Sequence, residues 1–201
     1  MQNLTICVSN RFIMKIAVLG WGSLIWNPKS LQYNTTFGWQ KDGPMLPLEF
    51  SRISQDSRLT LVLDPNAILV QSLYAISINT TIEEAILNLA VREGSARSAI
   101  GYFDKKNNKS HPESFEYIEN IKEWLTFNPV IDAVIWTNLK ANWKKTDRVK
   151  SKKRDRLEHL KALDGSTKAI AEEYIRKAPF QITTNFRKEI ENEFKWYPIE
   201  L

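Results

Sequence analysis

Glu93 is the carboxylate whose position in this chain is hardest to explain by solubility. Ile82, Ile86, Leu89 and Glu93 fall on one stripe at 3.6 residues per turn, so the carboxylate extends an apolar face. Gly94 follows at once as a helix stop. That puts Glu93 in the last turn, where the helix dipole opposes a negative charge. Burial and dipole both work against the ionised form, the setting in which a carboxylate serves as a general base. Arg92 and Arg97 can offset this if their side chains reach it. The residues leave a second reading open, a frayed turn in which Glu93 meets solvent or pairs with an arginine.

The other candidate is the run Gly20, Trp21, Gly22, Ser23, Leu24, Ile25, Trp26, Asn27, Pro28. Its opening Gly-x-Gly after an apolar strand suggests a dinucleotide-binding loop, but Ile25 stands where the third glycine belongs and Asn27–Pro28 blocks the helix that must follow. A nucleophile elbow fails as well, because Ser23 is followed by Leu24 and Ile25 rather than x-Gly. Two readings remain. One is a small-residue loop whose backbone N–H groups bind an anion or a carbonyl oxygen; the other is a tight strand-end turn packed by Trp21 and Trp26. Further along, Glu49 alternates with Leu48 and Phe50 and so belongs on the polar face of a strand, while Arg52 returns to the apolar face. An arginine there either pairs with a carboxylate or holds that of a substrate.

These residues need a frame, and its elements are legible. Residues 15–20, 46–53, 58–63, 68–78 and 133–139 read as strands, with a hairpin across Gln55, Asp56 and Ser57. Thr80 or Thr81 caps a helix that Gly94 ends, and a second helix starts near Ser114 and carries Phe115, Ile118, Ile121 and Leu125. After residue 140 the pattern is helical. Leu157, Leu160 and Leu163 form one stripe ended by Gly165; Ser166 caps a helix with Ile170 and Tyr174 inward, closed by Pro179; Thr184 caps a third with Phe186, Ile190 and Phe194 inward. No linker separates two independent domains.

Composition narrows the chemistry. Of 201 residues 43% are apolar and 7 are tryptophan, enough for a packed core. No apolar run is long enough to span a membrane. Cys7 is the single cysteine, and His111 and His159 are the only histidines. An internal disulfide framework and a multi-cysteine metal site are thereby excluded, and a histidine-rich metal site is disfavoured. The net charge of +5 is concentrated: residues 140–161 hold ten Lys or Arg against three acids, a local +7 that leaves −2 elsewhere. With Trp143 as its sole aromatic, this run reads as a solvated helix or loop rather than a nucleic-acid platform. Residues 1–13 lack the basic n-region and cleavage site of a signal peptide and read as an extension or the product of an upstream start, ahead of Met14. The expected compartment is the cytoplasm.

The residues from Val18 to Pro28 resemble the N-terminal signature of the γ-glutamylcyclotransferase-like superfamily, whose strand–loop motif reads YGSN or YGSL. The continuation Gly22-Ser23-Leu24-Ile25-Trp26 followed by Pro28 is most similar to the branch that acts on glutathione, and Arg58-Leu59-Thr60-Leu61-Val62 looks like that branch's RxxTL segment. The family's catalytic glutamate precedes a glycine at a helix end, in a pattern like L-x-x-x-E-G. Leu89 to Gly94 matches that placement, so the resemblance and the helical stripe meet at Glu93. It covers residues 14–104 and, loosely, 130–139. Trp21 stands where the family has tyrosine, and Leu24 where the YGSN form has asparagine.

The resemblance implies an α+β fold, a mixed β-barrel with flanking helices (residues 14–139) and a helical C-terminal extension packed on it (140–201). It also implies an enzyme with no cofactor and no metal. A γ-glutamyl amide or peptide would be cyclised to 5-oxoproline with release of an amine or amino acid, Glu93 as catalytic base and Gly20, Trp21, Gly22, Ser23 and Leu24 as the substrate-binding loop. The expected partner is that small molecule, with no membrane and no nucleic acid. A non-catalytic ligand-binding or interaction module on the same fold is the alternative, with nucleic-acid binding through 140–161 behind it.

Overall fold

The structure is a computed structural model and describes residues 13–143 and 156–200. Cys7, the bulk of the N-terminal extension and the centre of the basic run lie outside the described residues.

β1 (Ile16–Gly20) is the axis of the fold. It pairs in parallel with β8 (Ala133–Thr137) and antiparallel with β5 (Leu73–Ile76). With β6 (Ile100–Asp104) and β7 (Lys109–His111) they make a five-stranded sheet in the order β5-β1-β8-β6-β7. β1 is apolar at every position because both of its faces are covered. Ile16 and Val18 pack with Ile82, Ala85 and Leu89 of α1 (Ile82–Glu93), whereas Ala17 and Leu19 join the larger core on the other side. A second sheet, β3-β2-β4, is built on the expected hairpin of β2 (Met45–Ile53) and β3 (Leu59–Leu63), with β4 (Leu69–Gln71) on the far edge.

The two sheets do not close into a barrel. The strand expected over residues 68–78 breaks at Ser72, whose carbonyl and hydroxyl bond to Gly43 N–H and Pro44 C=O, so β4 belongs to one sheet and β5 to the other. That corner joins the sheets at one side only. At the other, β7 is three residues long, and Pro112 has no N–H with which to extend its ladder. β3 meets the chain beyond β8 through a single bridge, Leu63 with Lys140.

The helices correct the expected boundaries more than their existence. Thr81 caps α1, its hydroxyl accepting from Glu84 N–H, and Gly94 ends it in the left-handed conformation at φ 60°. α2 (Ile118–Phe127) begins after Phe115, which packs before the first turn instead of within it. α3 (Arg156–Lys161) stops short of Gly165, and Gly165 opens α4 (Gly165–Lys177) rather than closing α3. Asp164, not Ser166, holds the cap position of α4, and Ile170 faces outward while Tyr174 is buried. Thr184 caps α5 (Asn185–Phe194) as expected, accepting from Arg187 N–H at 3.0 Å.

Two buried charges tie this C-terminal flank to the sheet. Glu49 lies on the face opposite Leu48 and Phe50, but that face is covered by α5 and not solvated. Its carboxylate accepts from Thr184 Oγ1 at 2.6 Å and from Phe186 N–H at 3.2 Å, capping α5 from a neighbouring strand. Arg187, 1% exposed, donates to the carbonyls of Pro179, Ile182, Ala178 and Ile175 and so holds the end of α4. Replacing Arg187 with Met strands those acceptors in the core, where each unsatisfied group costs about 1–3 kcal/mol. The expected loss is at least about 2 kcal/mol in urea unfolding, with only partial recovery in Arg187→Lys, since an ammonium lacks the guanidinium fork. Unfolding at the wild-type midpoint would refute this role.

Candidate active site

The loop after β1 and the end of α1 line one cavity of about 560 Å³, and Gly20, Trp21, Gly22, Ser23, Leu24 and Glu93 all contribute to its wall. A second cleft of about 370 Å³ shares Ser23, Arg58, Arg92 and Tyr174 with it. β1 delivers the loop and α1, packed across the same sheet, delivers the carboxylate.

Hydrogen bonds inside the loop run from Ile25 N–H to Gly22 C=O and from Asn27 N–H to Ser23 C=O. The N–H groups of Gly22, Ser23 and Leu24 have no acceptor among the described residues. Both glycines are also required by packing. A β-carbon at Gly20 would collide with the Trp39 ring, and one at Gly22 with the Tyr174 hydroxyl. Trp21 is buried, and its Nε1 donates to Leu61 C=O at 3.2 Å.

Glu93 is half-buried and does not fray into solvent. Its Oε1 pairs with Arg92 Nη1 at 2.6 Å. Arg92 also donates from Nη2 to Asn27 C=O at 2.7 Å and to Ser23 Oγ at 3.3 Å, so one guanidinium links the carboxylate to the loop. Arg92 Nε and Ser95 Oγ, both of cavity-lining residues, are buried without a hydrogen-bond partner among the described residues. The linking role of Arg92 is absent from the expectations, although a signal existed: 85, 89 and 92 follow i, i+4, i+7, which puts this arginine on the buried face.

The hairpin tip supplies a third wall. Arg58 clasps Asp56 from Nη2 at 2.7 Å and from Nε at 2.9 Å. Partial burial works to raise the Asp56 carboxyl, but hydrogen bonds from Arg58 and Ser54 outweigh it and hold the group below its ordinary range. A bulge between Phe50 and Arg52 shifts the register of β2, and Arg52 joins the cavity wall, donating to Lys140 C=O at 2.9 Å. Neither Arg52 nor Lys29 pairs with a carboxylate among the described residues. Four cationic side chains therefore line the cavity (Lys29, Arg52, Arg58 and Arg92) against two carboxylates, Asp56 and Glu93. The site is cationic in a chain that is slightly acidic outside residues 140–161.

Tyr174 of α4 is the residue that sequence patterning read only as core. Its Oη accepts from Leu61 N–H at 3.2 Å, beside Gly22, and its ring meets Trp26 edge-on at 5.3 Å. Leu61 can serve both Trp21 and Tyr174 because β3 is an edge strand, so alternate backbone groups point away from β2. Burial pushes the Tyr174 hydroxyl up to about 12, the charge of Glu93 adding to the effect while Leu61 N–H, Arg58 and Arg92 counter it. Nothing local marks this tyrosine, because it is brought to the loop by packing across more than a hundred residues.

Among the described residues no three His, Cys, Asp or Glu side chains are grouped to hold a metal, and no helix is long and apolar enough to cross a membrane. No family model, curated protein or solved structure matches the chain.

Two outcomes follow from Tyr174. Gly22→Ala forces a methyl against its hydroxyl and should destabilise by about 1–3 kcal/mol. In a Tyr174→Phe background the same change should cost at least about 0.5 kcal/mol less, and strict additivity in chemical denaturation would count against the contact. Alkaline stability is the second. Below pH 10 the phenol is neutral in both states; between 10 and about 12 the unfolded chain ionises while the buried group resists, so stability falls as pH rises. The loss should be on the order of 2–3 kcal/mol, and Tyr174→Phe should lack it. An identical alkaline slope in that variant would discard the assignment.

Proposed function

We propose that the chain is a γ-glutamylcyclotransferase-like enzyme that cyclises a γ-glutamyl amide or peptide to 5-oxoproline, releasing an amine or amino acid. One observation carries the reading: Glu93 and the loop 20–24 line the same cavity. The likeness to that superfamily rests on the loop after β1 and on the Glu93–Gly94 helix end, not on a closed barrel.

In this reading the α-amino nitrogen of the substrate attacks its own γ-carbonyl carbon. Glu93 takes the proton that the nitrogen sheds and returns it to the leaving nitrogen as the amide C–N bond breaks. The N–H groups of Gly22, Ser23 and Leu24 are available to the glutamyl moiety, and the cationic wall suits its α-carboxylate. The nucleophile is tethered to the carbonyl it attacks, so holding the chain folded supplies much of the barrier reduction. Room for the leaving group is available in the adjoining cleft of about 370 Å³.

A second reading draws on the 2.6 Å pair between Arg92 and Glu93. A carboxylate already engaged by a guanidinium can serve a non-catalytic module that binds a small zwitterion or carboxylate. Glu93→Gln separates the two. In the enzyme it keeps the fold and lowers 5-oxoproline release from a panel of γ-glutamyl compounds by at least about 100-fold, the lower end of general-base contributions. Unchanged turnover would sink Glu93 as the base, and absent turnover with equal ligand affinity in both proteins would favour the binding module.

A further inference from the structure

Among the cavity's polar groups Tyr174 presents a hydroxyl whose oxygen is satisfied and whose proton is not. The hydroxyl oxygen accepts from Leu61 N–H at 3.2 Å, and no described residue accepts the hydroxyl hydrogen. The ring is clamped by Trp26 at 5.3 Å and Phe50 at 6.4 Å, with the Arg58 guanidinium 5.3 Å from its centroid, so the hydroxyl has a fixed origin. It sits against Gly22, whose N–H, like those of Ser23 and Leu24, has no acceptor among the described residues, and it lines the cavity with Glu93. A rigid, desolvated donor beside free backbone N–H groups is the arrangement that stabilises charge developing on a carbonyl oxygen.

We infer that Tyr174 donates its hydroxyl hydrogen bond to the ligand's γ-carbonyl oxygen, making α4 a functional part of the site rather than a flank that only covers it. The inference rests on the proposed cyclisation for its chemistry. As the α-amino nitrogen bonds to the γ-carbon, the carbonyl π pair moves onto oxygen. Tyr174 and the loop N–H groups meet that oxyanion; its collapse re-forms the C=O and expels the leaving nitrogen, which is protonated by Glu93. Tyr174 keeps its proton throughout. Burial, which pushes the phenol up to about 12, keeps it protonated near neutral pH, as a donor requires and a base does not.

The test compares wild type with Tyr174→Phe, which keeps the ring and removes only the hydroxyl. The probe is N-glutarylglycine, which carries the γ-amide carbonyl but no α-amine and so cannot cyclise. If wild type turns over γ-glutamyl substrates, Tyr174→Phe that is folded by circular dichroism and cooperative melting should lose 30- to 1,000-fold in kcat with KM changed less than threefold. A purely structural tyrosine would lower the melting temperature and leave kcat within twofold, which would overturn the inference and spare the proposed function. If wild type turns over nothing, the proposed function fails, and probe binding decides Tyr174 alone: at least tenfold weaker binding in the variant supports the donor, while equal binding or none in wild type overturns it. Should the variant not fold, 3-fluorotyrosine at position 174 supplies a stronger donor at the same place. It should tighten the probe Kd at least twofold, and an unchanged Kd would overturn the inference.

Discussion

A buried guanidinium must find acceptors for its donors, and Arg92 finds them for its terminal nitrogens in two elements that also meet through Leu24 and Leu31 packed against α1 and through the side chain of Asn88. Arg92 leaves the last turn of α1 and reaches Asn27 C=O and Ser23 Oγ in the loop after β1, while the same side chain holds Glu93. Hydrogen bonds to charged groups contribute about 1.5–3 kcal/mol each where the charge keeps part of its hydration. Much of that is offset by taking the charge out of water, so the gain in stability is small. What the fork provides is geometry. Loop and carboxylate cannot drift apart without exposing a buried charge, and the cavity between them keeps its shape for that reason.

The opposite wall is held by a different device with the same logic. α4 and α5 lie far along the chain from β1, and their apolar faces alone would permit sliding. Glu49, set in β2 beneath the start of α5, and Arg187, wrapped by carbonyls at the end of α4, admit one register only. Tyr174 is thereby brought onto the edge of β3, where Leu61 bonds both to it and to Trp21. An edge strand usually risks pairing with another chain; here its outward groups are occupied in part by two aromatic side chains that also frame the cavity.

Local signals were readable where local physics decides. The Thr81 cap, the Gly94 stop, the hairpin tip at Asp56 and the stripe that ends in Glu93 each depend on residues within one or two turns, and the structure agrees with them. Failures arose where a distant partner overrides the pattern. Glu49 alternates as a solvent-facing residue should, yet α5 covers it and makes it a cap. Residues 68–78 have the composition of one strand, but the bonds of Ser72 to Gly43 and Pro44 divide them between sheets. Barrel closure fails for the same reason, since pairing of the outer edges depends on the length of β7 and on Pro112 rather than on strand propensity. Tyr174 illustrates the limit most directly: its spacing marks it as inward, and no spacing says that inward means against Gly22.

Glu49 and Glu93 allow a comparison that owes nothing to family likeness. Glu49 sits at a helix N-terminus, where free N–H groups and the dipole favour its charge, and its oxygens are met by Thr184 and Phe186. Glu93 sits at a helix C-terminus, where the dipole disfavours a negative charge, and a neighbouring guanidinium has to compensate. The first arrangement is what stability alone would select. The second sacrifices a local preference to keep a carboxylate on a cavity wall, next to backbone N–H groups that no described residue satisfies. Departures of this kind are kept where function needs them and are compensated by nearby structure. On that ground the proposed function is to be tested at the end of α1 rather than at the better-buried Glu49.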